Sequence, residues 1–206
     1  SYLFKVFEKE KIRHRVVQDT LTANILCKEY PIFFRPLKDL KYSLRNFQFA
    51  VEIDFKAFFY QFSLGKEVAK FFKIFSTEAK QFFVPLRLPM GFKNAVPIAQ
   101  MAVLFICEKV VPKECFFDVY IDNVLIAAKD CETLEKVLLD FVNFCKKFNF
   151  TIGSISPIQS KVTYRGMDLD LEKKEVSLKT TFVKKFLERR NFIRKKGDDF
   201  TFAEFR

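Results

Sequence analysis

Two short apolar runs, residues 116–120 and 124–128, flank the tripeptide Ile121-Asp122-Asn123. Such runs joined by a few polar residues are typical of two antiparallel strands and the turn between them. The pattern therefore predicts a β-hairpin that presents the Asp122 carboxylate at its tip. A second carboxylate, Asp54, ends the apolar run 49–54, which has the character of a buried strand. The fold must therefore contain a sheet whose strand ends carry acidic groups.

The composition predicts a folded, basic domain. Half of the 206 residues are hydrophobic and 29 are Phe, which argues against long disordered stretches. The formal net charge of +11 favours a polyanionic partner, although an ordinary basic protein would have a similar charge. No apolar run reaches about 18 residues and no secretory signal is evident, so we expect no membrane association and an intracellular protein of the nucleus or cytoplasm.

The order of periodic segments predicts an α+β fold. Residues 96–111 and 132–148 have apolar side chains at helical spacing, and they alternate with the strand and hairpin described above. This order predicts an antiparallel sheet backed by two helices. The remaining predicted elements are a strand at 12–17, a helix within 36–48, a second hairpin from 162–169 and 175–178, and a basic helix at 181–194.

Two carboxylates at strand or hairpin tips are suited to phosphoryl transfer with two divalent cations. Such ions, Mg²⁺ or Mn²⁺, activate an attacking hydroxyl and neutralise a leaving pyrophosphate. Asp54 and Asp122 are therefore candidate metal ligands. Taken alone they are a weak signal, because ordinary turns and helix caps use the same residue type.

Four segments in order resemble the reverse transcriptase family, and the resemblance extends across roughly residues 10–180. Residues 51–62 are similar to the first palm motif, and residues 88–95, Leu-Pro-Met-Gly-Phe-Lys-Asn-Ala, to the Leu-Pro-x-Gly motif. Tyr120-Ile121-Asp122-Asn123 resembles the Tyr-x-Asp-Asp hairpin, and residues 161–167 resemble the primer-grip turn. The amino-acid sequences of the Leu-Pro-x-Gly and Tyr-x-Asp motifs most resemble those of long-terminal-repeat and tyrosine-recombinase retrotransposons.

The resemblance implies a polymerase palm with a reduced fingers lobe, and a thumb that is absent or only begun. Residues 1–48 would form a fingers-like segment, 49–180 the palm with a fingers insertion around 63–87, and 181–206 the start of a thumb or a terminal helix. The implied activity is RNA-directed DNA synthesis with two Mg²⁺ or Mn²⁺ ions. The implied partners are a primed RNA or DNA template, dNTPs and a protein that could supply the thumb.

The resemblance also assigns site residues. Asp54, Asp122 and Asn123 would be catalytic, with the two Asp residues as metal ligands. The residues that would bind the nucleotide are Lys11, Arg13, Arg15, Phe55, Phe58, Met90 and Gly91. The residues that would contact the primer and template are Lys93, Tyr120, Tyr164, Arg165 and Gly166. Among these, Arg15 would grip the triphosphate, and Phe58 would be a steric gate against a 2′-hydroxyl, with an ordinary core aromatic as its alternative.

Asn123 is the largest departure from the family pattern, because it stands where the second Asp of the hairpin is usual. An amide oxygen can bind a cation but brings no negative charge. Glu52, on the same strand face as Asp54, is a candidate compensating acid. Two functions therefore remain open: an active polymerase, or a domesticated, weak or inactive domain that serves as a nucleic-acid or protein-binding scaffold. An unrelated basic module is a third alternative.

Overall fold

The structure is a computed structural model that describes residues 3–8 and 13–196; of residues 4, 8, 13–16 and 189–196 it describes the backbone alone. The strands are β1 Leu3–Glu8, β2 Arg13–Gln18, β3 Phe49–Phe55, β4 Ile74–Ser76, β5 Gln81–Phe83, β6 Phe116–Tyr120, β7 Asn123–Ala128, β8 Ile152–Ile155, β9 Lys161–Tyr164, β10 Met167–Asp170 and β11 Glu175–Leu178. The helices are α1 Leu21–Leu26, α2 Leu37–Ser43, α3 Lys66–Ala69, α4 Ala95–Val110, α5 Cys131–Lys147 and α6 Thr180–Lys196.

The central sheet has four strands in the order β6-β7-β3-β8, and every neighbouring pair is antiparallel. The predicted hairpin is confirmed as β6 and β7. Side chains alternate between the two faces of each strand, so Val51 and Ile53 point to one face and Asp54 to the other. This alternation separates the acidic strand end from the apolar core.

Helices α4 and α5 cover one face of this sheet, which confirms the predicted two-helix layer. Their fully buried residues Val103 and Phe141 pack against Val51, Ile53 and Ile126 in the main core. Each such side chain contributes roughly 1.5–3 kcal/mol through burial alone. Helix α5 begins at an N-cap in which Asp130 accepts a hydrogen bond from the backbone N–H of Thr133.

The opposite face of the sheet carries α2 and a three-stranded sheet in the order β11-β10-β9. The hairpin predicted from residues 162–169 and 175–178 is present as β10 and β11, but its first arm is shorter than apolar periodicity predicted. A turn at Arg165-Gly166 divides the segment into β9 and β10, and both residues have positive φ angles of 51° and 74°. The left-handed conformation of Arg165 is uncommon for a residue with a side chain, so the apolar pattern did not indicate the turn.

The amino-terminal segment and residues 63–87 form smaller units beside the main sheet. Strands β1 and β2 form one hairpin, and β4 and β5 form another. A separate apolar cluster that includes Ala23, Phe72, Leu88 and Phe92 joins α1 to the loop before α4. No helix in the described part of the chain has the length and apolar character to cross a bilayer.

Candidate active site

Asp54 and Asp122 lie at the same edge of the central sheet. Asp54 is near the end of β3, and Asp122 is in the turn between β6 and β7. The backbone N–H of Phe55 donates to the carbonyl of Asp122 at 2.9 Å, which ties the hairpin tip to the end of β3. Two carboxylate-bearing residues about seventy positions apart are thereby held beside one another by the backbone of the sheet.

Asn123 lies directly opposite Asp54 in the β3–β7 register. Opposed residues of an antiparallel pair place their Cβ atoms about 4.5–5.5 Å apart on the same face. The Asn123 amide nitrogen is 3.2 Å from Oδ1 of Asp122, to which it donates a hydrogen bond. The amide therefore touches one candidate metal ligand and faces the other.

The hairpin tip is held by a buried glutamine of α4 that the sequence analysis did not identify. Gln100 is 3% exposed; its Nε2 donates to the carbonyl of Val119 and its Oε1 accepts from the N–H of Ile121, both at 2.8 Å. Ile121 has a φ of 59°, a strained conformation for a β-branched residue. Gln100 thus supports a strained turn beside Asp122.

Gly153 is a second residue that the sequence analysis missed. It lies at a register shift between β3 and β8, the type of irregularity called a β-bulge. A Cβ atom at this position would lie 3.2 Å from the carbonyl oxygen and Oδ2 of Asp54. Glycine therefore leaves the space that the Asp54 carboxylate uses.

Glu52 lies two residues before Asp54 on the same face of β3. Burial raises the pKa of the Glu52 carboxyl above its usual value, and the negative charge of Asp54 raises it further, while Lys179 acts in the opposite direction. A carboxyl group with a perturbed pKa beside a second carboxylate is typical of a functional site.

The donor set suits a hard divalent cation. Asp54 and Asp122 provide carboxylate oxygens, and Asn123 provides an amide oxygen. Among the side chains that the structure describes, no group of three or more His, Cys, Asp or Glu forms a ready-made metal cluster. Mg²⁺ in phosphoryl-transfer sites is usually held by one or two carboxylates, with substrate phosphates and water completing its shell. The residues present fit that kind of site.

Strand β2 reaches the Leu-Pro-x-Gly loop. The N–H of Gln18 donates to the carbonyl of Met90 at 3.3 Å, and a Cβ on Gly91 would lie only 2.6 Å from the carbonyl oxygen of Gln18. Gly91 also has a φ of 114°, so only glycine fits here. Arg13 and Arg15 lie in β2, where their side chains are not described, and Lys11 lies outside the described residues.

Two asparagines fasten the amino-terminal segment to the same loop. Asn24 donates to the carbonyl of Gly91 at 3.0 Å and accepts from the N–H of Lys93 at 2.9 Å. The buried Asn94 donates to the carbonyl of Lys28 and accepts from the N–H of Tyr30. Met90, Gly91 and the half-buried Lys93 are thus brought together beside β2.

Phe55 and Phe58 lie in the main core instead of at the open surface. They are 2% and 4% exposed, and their rings are stacked with centroids 5.1 Å apart. The following residues are less buried: Phe59 is half-buried and Tyr60 is 42% exposed. Tyr60 lines a cavity of about 230 Å³ together with Gln18 and Met90.

The residues predicted to contact primer and template differ in exposure. Tyr120 is half-buried beside the hairpin tip, whereas Tyr164 is fully buried. Burial, followed by the neighbouring Asp118, raises the pKa of the Tyr164 hydroxyl well above its usual range. The Arg165 side chain is 12% exposed, and Gly166 is exposed with open space around it. The turn therefore presents the backbone of Gly166 to solvent.

Comparison with known proteins gives a match to one family and several similar solved structures. The family model described as "Reverse transcriptase (RNA-dependent DNA polymerase)" matches residues 8–183. The chain is similar to the foamy viral protease-reverse transcriptase dRH in complex with double-stranded DNA, with a TM-score of 0.73 and 17% identity over 89% of this chain and 31% of that chain. No curated protein matches the chain.

Two further structures of the foamy viral protease-reverse transcriptase are similar. The complex with double-stranded DNA gives a TM-score of 0.71 at 17% identity, covering 89% of this chain and 37% of that chain. The complex with an RNA/DNA hybrid gives 0.70 at 18% identity, covering 89% and 24%. The chain thus spans between about a quarter and just over a third of these proteins. The likeness confirms the predicted α+β fold of a polymerase palm with an antiparallel sheet and helices.

Proposed function

Because the chain belongs to the reverse transcriptase family, we propose that it is an RNA-directed DNA polymerase domain that transfers nucleotides onto a primer 3′-OH. Its substrates would be dNTPs and a primed RNA or DNA template, in the nucleus or cytoplasm. The observation that carries the proposal is the backbone link between Phe55 and Asp122, which sets the Asp54 and Asp122 carboxylates at one edge of the sheet.

Asp54 and Asp122 are the residues that would hold Mg²⁺ or Mn²⁺. Bound cations would lower the charge on the reacting phosphate and activate the primer hydroxyl. Asn123 would orient Asp122 through the hydrogen bond that it donates to Oδ1. Since the amide carries no charge, we expect weaker cation affinity than an Asp at this position would give.

The nucleotide would bind between β2 and the Leu-Pro-x-Gly loop. Support comes from the contact between Gln18 and Met90, which brings the strand that carries Arg15 to that loop. A guanidinium suits phosphate oxygens because it can donate two parallel hydrogen bonds. We assign the ring that excludes a 2′-hydroxyl to Phe59 or Tyr60, because Phe58 is enclosed in the core.

A second candidate function is a domesticated scaffold that binds nucleic acid or a protein without polymerising. Asn123 favours it, because the change removes one carboxylate from the expected cation site. Loss of one stabilising group at a transition state typically costs about 10²–10³ in rate. The two functions share the fold and differ only in the chemistry at the hairpin tip.

Primer extension with dNTPs and Mg²⁺ or Mn²⁺ tests the proposal. The wild-type protein should extend a primer, and Asp54→Asn should abolish extension while leaving primed-duplex affinity nearly unchanged. Equal extension by both proteins would remove Asp54 from the mechanism. If neither extends and both bind duplex equally, the scaffold function is the better description.

The Asn123→Asp variant distinguishes a polymerase that is weak only because of Asn123 from a palm that has lost further catalytic groups. The substitution places a carboxylate directly opposite Asp54, so cation affinity and the extension rate should both increase. The exposed Asn143→Asp provides a control with the same change of charge on α5, away from the site. No gain over that control would indicate that the palm has lost more than one ligand.

A further inference from the structure

Asp118 is a buried carboxylate that the candidate active site does not explain. It lies in β6, two residues before Tyr120, and is only 4% exposed. Removing a charged group from water is unfavourable unless charged or hydrogen-bonding partners compensate for the lost hydration. The partners of Asp118 therefore indicate which parts of the molecule it holds together.

Both carboxylate oxygens have partners from distant parts of the chain. Oδ1 accepts a hydrogen bond from Nε of Arg35 at 3.1 Å. Oδ2 accepts from the hydroxyl of Tyr164 at 3.0 Å and is 3.5 Å from Nη1 of Arg165. The same Nη1 donates to the carbonyl of Arg35 at 2.8 Å. The segment before α2 and the turn between β9 and β10 thus converge on one side chain of β6.

Aromatic rings of β6 add a second connection. The Arg165 guanidinium lies 4.6 Å from the centre of the Tyr120 ring, and the Arg35 guanidinium lies 5.0 Å from that of Phe116. Cations in this position are attracted to the face of the ring. Tyr120 and Phe116 are each two residues from Asp118, so all three side chains are on one face of the strand.

We propose that Asp118 is a positioning residue that couples the turn at Arg165-Gly166 to the tip of the catalytic hairpin. The inference rests on the polymerase function proposed above. Arg165 and Ile121 both have positive φ angles, 51° and 59°, so each turn needs support from its surroundings. A primer strand in contact with the exposed Gly166 would then be set at a fixed distance from Asp122.

A role in stability alone makes a different prediction from a role in positioning. A variant that is only less stable has fewer folded molecules, so its apparent kcat falls while the KM values of the folded fraction stay the same. A variant with a misplaced turn changes how the primed template is held. The KM for primed template, compared with the KM for dNTP, therefore distinguishes the two roles.

Hydrogen–deuterium exchange of the intact chain tests the coupling without any ligand. Asp118→Asn keeps the shape of the side chain and removes its charge, and Tyr164→Phe removes only one hydrogen bond and should preserve folding. Both should increase exchange at residues 164–166 and at residues 120–123 together, with the smaller increase in Tyr164→Phe. Unchanged exchange at the hairpin in both variants would overturn the proposal.

Asp168→Asn is the matched control. Asp168 is a half-buried carboxylate in the same three-stranded sheet, and it accepts a hydrogen bond from Thr163 at 2.7 Å. This variant should leave exchange at residues 120–123 unchanged. An equal increase in the control would mean that any disturbance of the sheet loosens the hairpin, and it would also overturn the proposal.

Steady-state primer extension then measures the consequence for function. In Asp118→Asn the KM for primed template should rise roughly tenfold, below the hundredfold loss that a 1 Å misplacement can cause. The KM for dNTP should stay within about twofold of wild type, as expected if nucleotide contacts are intact. Wild-type protein that extends no primer would reject the polymerase function, whereas the exchange result would still decide the coupling.

Discussion

Gly153 shows how a residue without a side chain can determine the geometry of this site. Its position in the bulge brings the β8 backbone against Asp54, where a Cβ would be 3.2 Å from both the carbonyl oxygen and Oδ2. Contacts of that length require the neighbour to move by a few tenths of an ångström. A third atom at 3.2 Å is the backbone nitrogen of Lys56, so the movement should displace the end of β3 that carries Asp54, a proposed metal ligand.

Gly153→Ala should therefore lower kcat by roughly tenfold or more, since small displacements of reacting groups are costly. Gly65→Ala is the control, because Gly65 has an ordinary φ of −62° and nothing within 4 Å of the added Cβ. Equal activities of the two variants in primer extension would show that the close approach to Asp54 has no catalytic role.

Glu52 predicts a pH dependence of stability. Burial, followed by the negative charge of Asp54, raises the folded-state pKa of the Glu52 carboxyl above the usual value of a glutamate. At pH values below the usual pKa of a glutamate, Glu52 is protonated in both the folded and the unfolded states, and its contribution to the free energy of unfolding is fully present. As the pH rises towards the raised folded-state pKa, the unfolded state releases the Glu52 proton first. Folding then opposes ionisation of this carboxyl, so its contribution to stability is lost as the pH passes through the folded-state pKa.

Glu52→Gln should consequently raise the melting temperature of the metal-free protein at about pH 7 and have little effect at about pH 4. Thermal melts at the two pH values measure this difference. The exposed Glu78→Gln should show no comparable change between them. A stabilisation of the same size at both pH values would mean that the effect does not arise from ionisation of Glu52.

At the scale of elements, α4 is both a core helix and the support of the hairpin. One side of the helix buries Val103 and Ile106 against the sheet, and Gln100, near its amino-terminal end, binds the backbone on both sides of Tyr120. A shift of α4 would therefore move the tip that carries Asp122. Core packing and the geometry of the candidate active site are linked through the Gln100 amide.

Gln100→Ala should destabilise the fold and reduce activity together. It leaves the part-buried Ile121 N–H and the buried Val119 carbonyl without this partner, and a buried group left unpaired costs about 1–3 kcal/mol. Urea unfolding measures the decrease in the free energy of unfolding, and Gln48→Ala, a change at an exposed glutamine, is the control. A stable variant with normal primer extension would show that the hairpin does not depend on α4.

The elements that sequence could predict are those with a strong local pattern. The strand ending at Asp54, the hairpin around Asp122 and the two long helices all follow from apolar periodicity, and each is confirmed within one or two residues. The turn at Arg165 was indicated by the resemblance to the primer-grip turn and not by apolar periodicity, because a left-handed Arg has no local signature. Gln100 and Gly153 were missed because their roles depend on neighbours far away in the chain.

At the scale of the whole molecule, the excess of positive charge should govern binding to nucleic acid. The formal net charge is +11, and Lys93 belongs to the loop proposed to contact the template. Each phosphate neutralised by a cationic side chain releases a condensed counterion, so affinity falls as salt increases. This contribution does not require the cation site, so it should persist in Asp54→Asn.

The affinity for primed duplex should fall by about 10³ or more between roughly 50 and 200 mM salt if at least about six phosphates are contacted. Fluorescence anisotropy at several salt concentrations gives the slope of log affinity against log salt. Lys93→Ala should reduce this slope by about one unit, whereas Lys113→Ala, an exposed residue at the opposite end of the sheet from the hairpin tip, should not. Equal slopes for all three proteins would place the nucleic acid away from the Leu-Pro-x-Gly loop and would contradict the binding path proposed for this palm.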